Sequence, residues 1–382
     1  MKKKIGIFTA TRAEYGLLSG LMKEINISKS LELQTYVSGT HLSSDYDKTY
    51  KDIKADGFQI SALVKMSIST ETPDDMAGSM SECLQNMTKA LNYLKPDLLV
   101  ILGDRYELLG SAIASMSHRI PIAHIHGGEI TSGAIDDSIR HSISKLSHLH
   151  FPIHDEYKKR LIQLGENPET IFNYGGLGAH SIKNIKFKSK LDLENELKIK
   201  LDKMIFLITF HPTTLEKNKS KYQVSNLLSA LDKFKDVIKI FTSSNFDHEN
   251  KIIKRKILNF TYKNKNAFFY SSLGHSSYVS LMKISSLVIG NSSSGVLETP
   301  SLGIPTVNIG NRQKGRIISK NIVNSKYEKN HIIKNIKKAL ILDKKKLSKI
   351  GSPFYKINTP KNIAKKIISF RCILKKDFKD LI

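Results

Sequence analysis

Gly290 closes the apolar run Leu287-Val288-Ile289, and Asn291-Ser292-Ser293-Ser294-Gly295 follows, with Glu298 one helical turn further on. Small residues after a strand let the backbone approach a diphosphate, the first amides of a following helix point at it, and the serine hydroxyls add donors. A carboxylate at Glu298 is then placed to accept from the two hydroxyls of a ribose. A Ser-rich turn also makes an ordinary helix cap. The rest of the chain decides between cap and cradle.

Other apolar runs end in equally polar turns. Thr9 to Gly16 offers Arg12, and a second run ends at Ser38-Gly39-Thr40-His41. A third, Leu98 to Leu102, ends at Gly103-Asp104-Arg105 and sets a carboxylate beside a guanidinium. Seven of the thirteen histidines fall between residues 118 and 154, which makes this the densest stretch. Alternation predicts His124 and His126 on one side of a strand, with Gly127 and Gly128 turning the chain so that Glu129 faces a cleft. Asp136 and Asp137 then open a helix on which Arg140 and His141 lie one turn later. The spacings are not those of a zinc motif, and His148 and His150 fit the rhythm of a buried strand, so acid/base work by His126, Glu129 and Asp136 is expected rather than a metal. Neither a metal nor a cofactor is called for. In the second half His211-Pro212 ends a strand-like run, and Arg312-Gln313-Lys314-Gly315-Arg316 follows the last one, offering Arg312, Gln313 and Arg316 to an anion.

Short β-branched runs alternating with longer helical segments predict a parallel α/β architecture. Strands are expected near 4–9, 33–37, 97–102, 120–125 and 148–152, then near 204–210, 237–242, 267–270, 286–289 and 304–309. Asn173 to Gly178 separates the two series. A chain of 382 residues exceeds the roughly 250 to 300 that one core serves, so two Rossmann-like domains are expected. These are residues 1–175 and 176–359, with a terminal helix within 360–382 packing back on the first. Ligands of such sheets sit beyond the carboxyl ends of the strands, which places the polar turns in a shared interdomain cleft.

The formal charge of +25 raises nucleic acid or an anionic membrane as partners, but its distribution is uneven. Residues 1–180 carry 19 basic against 21 acidic residues, whereas residues 181–382 carry 41 against 14, net +27. The excess is lysine with few interleaved aromatics, which reads as solvated faces rather than a base-reading surface. Cys83 and Cys372 form no metal or redox spacing, the apolar stretch Ile5–Phe8 is too short for a signal peptide, and no run approaches the roughly 18 apolar residues of a membrane span. A cytoplasmic protein is expected.

Together, TRAEYG, SGTHL, GDRYE, HIHGGE, DDSIRHSISKLSHLHF, FHP, GNSSSGVLE and NRQKGR, in order from about residue 4 to about 320, resemble the hydrolysing UDP-N-acetylglucosamine 2-epimerases of sialic acid biosynthesis. The resemblance implies a glycosyltransferase-B-like fold and hydrolysis of UDP-N-acetylglucosamine to N-acetylmannosamine and UDP. Anti elimination of UDP would give a 2-acetamidoglucal, and hydration would give the inverted C2 centre. It implies acid/base positions at Asp104 and Asp136, His211 at the diphosphate or as an acid, and UDP held by Arg12, Ser292, Ser293, Glu298 and Arg316. His41, Arg105, Arg140, Asn291, Ser294, Gly295, Arg312 and Gln313 complete the candidate substrate set. Many relatives read HIEGGE where this chain reads HIHGGE, so His126 stands at the place of a glutamate, and either His126 or Glu129 takes its role. The next segment is one residue longer than in some relatives, which leaves Asp136 and Asp137 both open. Close relatives act on UDP-2,4-diacetamido-2,4,6-trideoxyglucose, and residues within Ser67–Ser79 are where that preference would be set. A homodimer or homotetramer is also implied. A glycosyltransferase of the same fold, a non-hydrolysing epimerase and a nucleic-acid-binding protein are the rival readings.

Overall fold

The structure is a computed structural model that describes residues 2–44, 48–68, 72–216, 218–244, 249–371 and 374–380; Cys372 and residues 69–71 of the Ser67–Ser79 stretch lie outside these. The chain forms two compact units, one of Met1–Glu129, Asp136–Ser181 and Lys356–Ile382, the other of Ile130–Ile135 and Ile182–Tyr355.

The first unit is built on parallel strands β1 (Lys3–Thr9), β2 (Leu31–Ser38), β3 (Ala62–Val64), β4 (Leu98–Leu102), β5 (Ile122–Ile125) and β6 (Leu149–Phe151), in the order β3-β2-β1-β4-β5-β6. Its helices include α1 (Arg12–Asn26), α2 (Tyr50–Ala55), α3 (Pro73–Leu94), α4 (Tyr106–Ser117), α5 (Asp136–Leu146) and α6 (Asp155–Gln163). The near-continuous apolar strands follow from having both faces covered. Ile5, Ile7 and Val100 meet α1 and a returning C-terminal helix on one face, and Phe8, Leu99 and Ile101 meet α3 and α4 on the other. That terminal helix, Thr359–Ser369, buries Ile363, Ala364 and Ile367 among Leu18, Leu21 and Met22. The Lys3 ammonium donates to the Ile367 and Phe370 carbonyls at 2.9 and 2.6 Å, placing a cation at the helix's negative end.

The second unit repeats the plan with β7 (Met204–Thr209), β8 (Val237–Thr242), β9 (Ala267–Tyr270), β10 (Leu287–Gly290), β11 (Thr306–Ile309) and β12 (Ile322–Ser325), in the order β12-β11-β10-β7-β8-β9. Each sheet therefore reverses direction once, between β1 and β4 and between β7 and β10. Turns diverge at such a switch point and leave a crevice.

All ten expected strands are present within two residues of their predicted limits. Sequence reading missed two of the four edge strands, β3 and β12. Ala62–Val64 has three residues and only Val64 fully buried, and Ile322–Ser325 ends in two polar residues, so neither shows the apolar run of a central strand. Among the described residues no helix is long and apolar enough to cross a membrane.

Candidate active site

In the first unit the candidate residues gather after β1, β4 and β5. Thr11 caps α1 with its side chain while Glu14 reaches back to the amides of Ala10 and Thr11 at 2.8 and 3.3 Å, a reciprocal box that fixes the turn carrying Arg12. The Arg12 guanidinium, one-third exposed, pairs with Asp52 of α2 at 3.0 Å. Burial, reinforced by the nearby Glu107 carboxylate, pushes Glu14 up to about 8. Glu107 in turn holds Arg105 Nε at 3.0 Å, and the Arg105 guanidinium lies over the Tyr106 ring.

His41 does not present itself as a ligand residue. It is fully buried, with Nε2 3.1 Å from Thr9 Oγ1 and Nδ1 2.7 Å from Thr49 Oγ1, and burial lowers it to about 4. Both nitrogens are spent on tying β1 to the segment before α2.

The histidines at the end of β5 also differ from expectation. His124 is in the strand, whereas β5 ends at Ile125 and His126 adopts φ +71°, so the two rings do not share a strand face. His124 donates from Nε2 to the Gly103 carbonyl at 2.8 Å and accepts at Nδ1 from Ser144 at 3.0 Å; burial keeps it neutral, down to about 3. It braces the turn that carries Asp104. His126, 8% exposed, directs Nδ1 to Glu129 Oε1 at 2.6 Å, and Glu129 is fully buried.

Arg140 joins these turns. Its guanidinium is wholly buried, contacts the Asp104 carboxylate, and donates to the Glu129 carbonyl at 3.0 Å and Asp137 Oδ1 at 3.1 Å. A buried guanidinium held by two carboxylates and a backbone carbonyl orders the site rather than gripping a substrate, which is a different role from the one expected. Asp137 is thereby assigned to Arg140, and Asp136 stands at the first position of α5. Between Glu129 and Asp136 the chain belongs to the second unit. There Ser132 N donates to the Lys314 carbonyl at 3.0 Å and Ile135 N to Thr214 Oγ1 at 3.0 Å.

In the second unit, Gly290 has φ +138°, and a Cβ there would lie 1.9 Å from the Thr209 carbonyl oxygen, so only glycine lets β10 pass this close to the end of β7. Asn291, fully buried, accepts from the His211 amide at 2.7 Å and donates to the His211 carbonyl at 2.8 Å. Its own carbonyl accepts from Arg312 at 3.2 Å and Gln313 at 2.9 Å. Asn291, Arg312 and Gln313 are thus internal braces for the turn, and the Ser292–Ser294 hydroxyls are the half-buried groups they present. The expected single helix is two short turns, Ser294–Leu297 and Thr299–Leu302, parted at Glu298. Burial raises Glu298 to about 7. Thr209, Gly290, Ser292, Gly295, Thr306 and Asn308 line a small cleft.

Sequence reading did not single out Tyr278, whose hydroxyl lies 2.7 Å from Ser294 Oγ, nor Glu14 and Glu107. Tyr278 sits inside the helix His275–Ile284, away from any strand end, and carried no local signal. Glu14 did carry one, since Thr11-x-x-Glu14 is a capping-box spacing.

The family model described as UDP-N-acetylglucosamine 2-epimerase matches residues 23–368. A Campylobacter jejuni protein named GDP/UDP-N,N'-diacetylbacillosamine 2-epimerase (hydrolyzing) is 46% identical over 85% of this chain and 84% of its own. The Escherichia coli polysialic acid biosynthesis protein P7 is 38% identical over 99% of this chain and 97% of its own. In three dimensions the chain is similar to the Neisseria meningitidis UDP-GlcNAc 2-epimerase bound to UDP-GlcNAc, with a TM-score of 0.80 at 17% identity, covering 96% of this chain and all of the other. At that identity the likeness speaks for the two-domain fold alone.

Proposed function

The chain belongs to the UDP-N-acetylglucosamine 2-epimerase family and is a hydrolysing UDP-sugar 2-epimerase; we propose that it converts UDP-N-acetylglucosamine and water to N-acetylmannosamine and UDP, the first step toward a sialic acid. The observation that carries this reading is the pairing of chemistries at the two switch points. A serine-lined, glycine-tight turn with a carboxylate beside it suits a nucleoside diphosphate, and a network of carboxylates and imidazole on one buried guanidinium suits proton transfer.

The reaction needs both. In the elimination the C2 proton leaves to a base, its bonding pair forms the C1–C2 double bond, and the C1–O pair departs with UDP. In the hydration, water adds to C1 and a proton reaches C2 on the opposite face. Ser292, Ser293, Ser294 and Gly295 would hold the diphosphate as its charge grows, with Arg316, Arg12 and His211 as further polar partners, and Glu298 would take the ribose. Asp104 and Asp136 would serve as acid/base groups, Asp104 kept in place by Arg140. The enzyme would work in the cytoplasm as a homodimer or homotetramer, which light scattering checks directly.

A second reading concerns the sugar. The relative that is 46% identical is named for N,N'-diacetylbacillosamine, a 2,4-diacetamido-2,4,6-trideoxyglucose, and for either GDP or UDP. An extra amide at C4 and a missing hydroxyl at C6 change which polar groups of a site are satisfied, so the two sugars are separable by rate. Proton NMR in deuterated water, with UDP-N-acetylglucosamine and the UDP- and GDP-linked diacetamido sugars in parallel, decides. Free N-acetylmannosamine with deuterium at C2 is the expected product. Turnover of a diacetamido sugar alone selects the second reading, UDP-N-acetylmannosamine would mean a non-hydrolysing enzyme, and no turnover of any of them rejects the proposal.

A further inference from the structure

The HIHGGE loop places an imidazole at His126, and its geometry gives that imidazole a defined state. His126 Nδ1 is 2.6 Å from a carboxylate oxygen of the fully buried Glu129, and because the carboxylate accepts, Nδ1 carries the hydrogen. The remaining nitrogen, Nε2, is buried and makes no hydrogen bond. Leaving a buried acceptor unmade costs on the order of 1–3 kcal/mol. The backbone adds to this, because His126 sits at φ +71°, a region that disfavours residues with a side chain. Two independent costs at one residue mark a group kept for chemistry rather than for packing.

We propose that His126 Nε2 is the base of the elimination, and that Glu129 is its positioning residue. This rests on the reading of the chain as a hydrolysing epimerase. The Nε2 lone pair takes the C2 proton, the C2–H pair becomes the C1–C2 double bond, and the C1–O pair leaves with UDP. The imidazolium so formed is balanced by Glu129, which keeps its charge. A different acid then delivers solvent-derived hydrogen to the other face of C2. Glu129 is itself held by Arg140 through its backbone carbonyl, and the same guanidinium holds Asp104 and Asp137, so the base and the neighbouring carboxylates share one anchor. The ionisable groups that act on His126 are Glu129 and, on β5, His124, and the loop behind it is held by Arg140 of α5, which also binds Asp104 and Asp137, and by Arg160 of α6, whose guanidinium donates to the Gly128 carbonyl.

The test combines pH profiles with tautomer spectroscopy. His126→Gln, which cannot accept a proton, is expected to lose about 10²–10⁴-fold in kcat. His126→Glu, which restores a carboxylate base, is expected to keep more activity than the Gln variant. The acid limb of its pH profile should lie at lower pH than the wild type's, because a carboxylate is a weaker base than an imidazole. A purely structural histidine would not move that limb. Wild-type kcat in His126→Gln, or an unchanged acid limb in His126→Glu, overturns the proposal. Nitrogen-15 NMR of the wild type reads the dyad without turnover. The Nδ1–H tautomer at His126, lost in Glu129→Gln, supports it, and an Nε2–H tautomer sinks it. An inactive wild type with the Nδ1–H tautomer would count against the epimerase reading and not against the dyad.

Discussion

At the residue scale the site is organised by Arg140, a side chain with no exposure at all that binds Asp104, Asp137 and the Glu129 carbonyl at once. A buried guanidinium needs acceptors for its charge, and here they are two carboxylates and a backbone carbonyl, whose positions it fixes. Asp104→Asn keeps an oxygen for Arg140 and removes the titratable carboxyl. We expect kcat to fall by about 10²–10⁴-fold with the fold intact. The affinity for UDP, measured by calorimetry, should be unchanged, because the serine cradle belongs to the other unit. Retained turnover would remove Asp104 from the acid/base set. Residue types alone nominated Arg140 and His41 as ligand groups. That both are buried and bonded within the protein could not be read from the chain, since a buried and an exposed arginine are spelled the same way.

At the element scale the strand-end turns are held by caps and braces rather than by packing. Glu14 is the clearest case, a carboxyl that satisfies two amides at the start of α1 yet is raised from about 4.5 to about 8 by burial and by Glu107. The sign follows from the direction of the shift. Between those two values the folded protein holds a proton that the unfolded chain has released, so this group's contribution to stability is full below about pH 4.5 and declines as pH rises toward 8. Glu14→Gln preserves the capping box, which accepts either residue, and removes the titration. Its melting temperature should therefore fall less than that of the wild type between pH 5 and pH 8, and an identical decline in both proteins would refute the assignment. The spacing Thr11-x-x-Glu14 was legible beforehand, and so was every central strand. Two edge strands, β3 and β12, were not, because three residues with one fully buried, and four residues ending in Asn324 and Ser325, make no apolar run to read.

At the scale of the whole molecule, the second half of the chain carries 41 basic and 14 acidic residues, and an anionic sugar nucleotide approaches that field before it meets any side chain. Raising ionic strength from 0.1 M to 1 M shortens the screening length from about 10 Å to about 3 Å, so KM should rise with salt while kcat stays constant. A salt-independent KM would mean that the lysines serve only to keep the surface solvated. The sequence by itself determined the parallel α/β architecture, the two domains' worth of strands, the turns where chemistry gathers and the family, because apolar periodicity and motif order are local properties of the chain. The tertiary structure decided what those residues do in their turns. It gave Asn291, Arg312 and Gln313 to the inside of the cradle, and it spent His41 and His124 on neutral braces. It also left His126 with one nitrogen on Glu129 and the other unused. Burial and hydrogen-bond partners arise from residues brought together across strands distant in sequence, and no spacing along the chain encodes them.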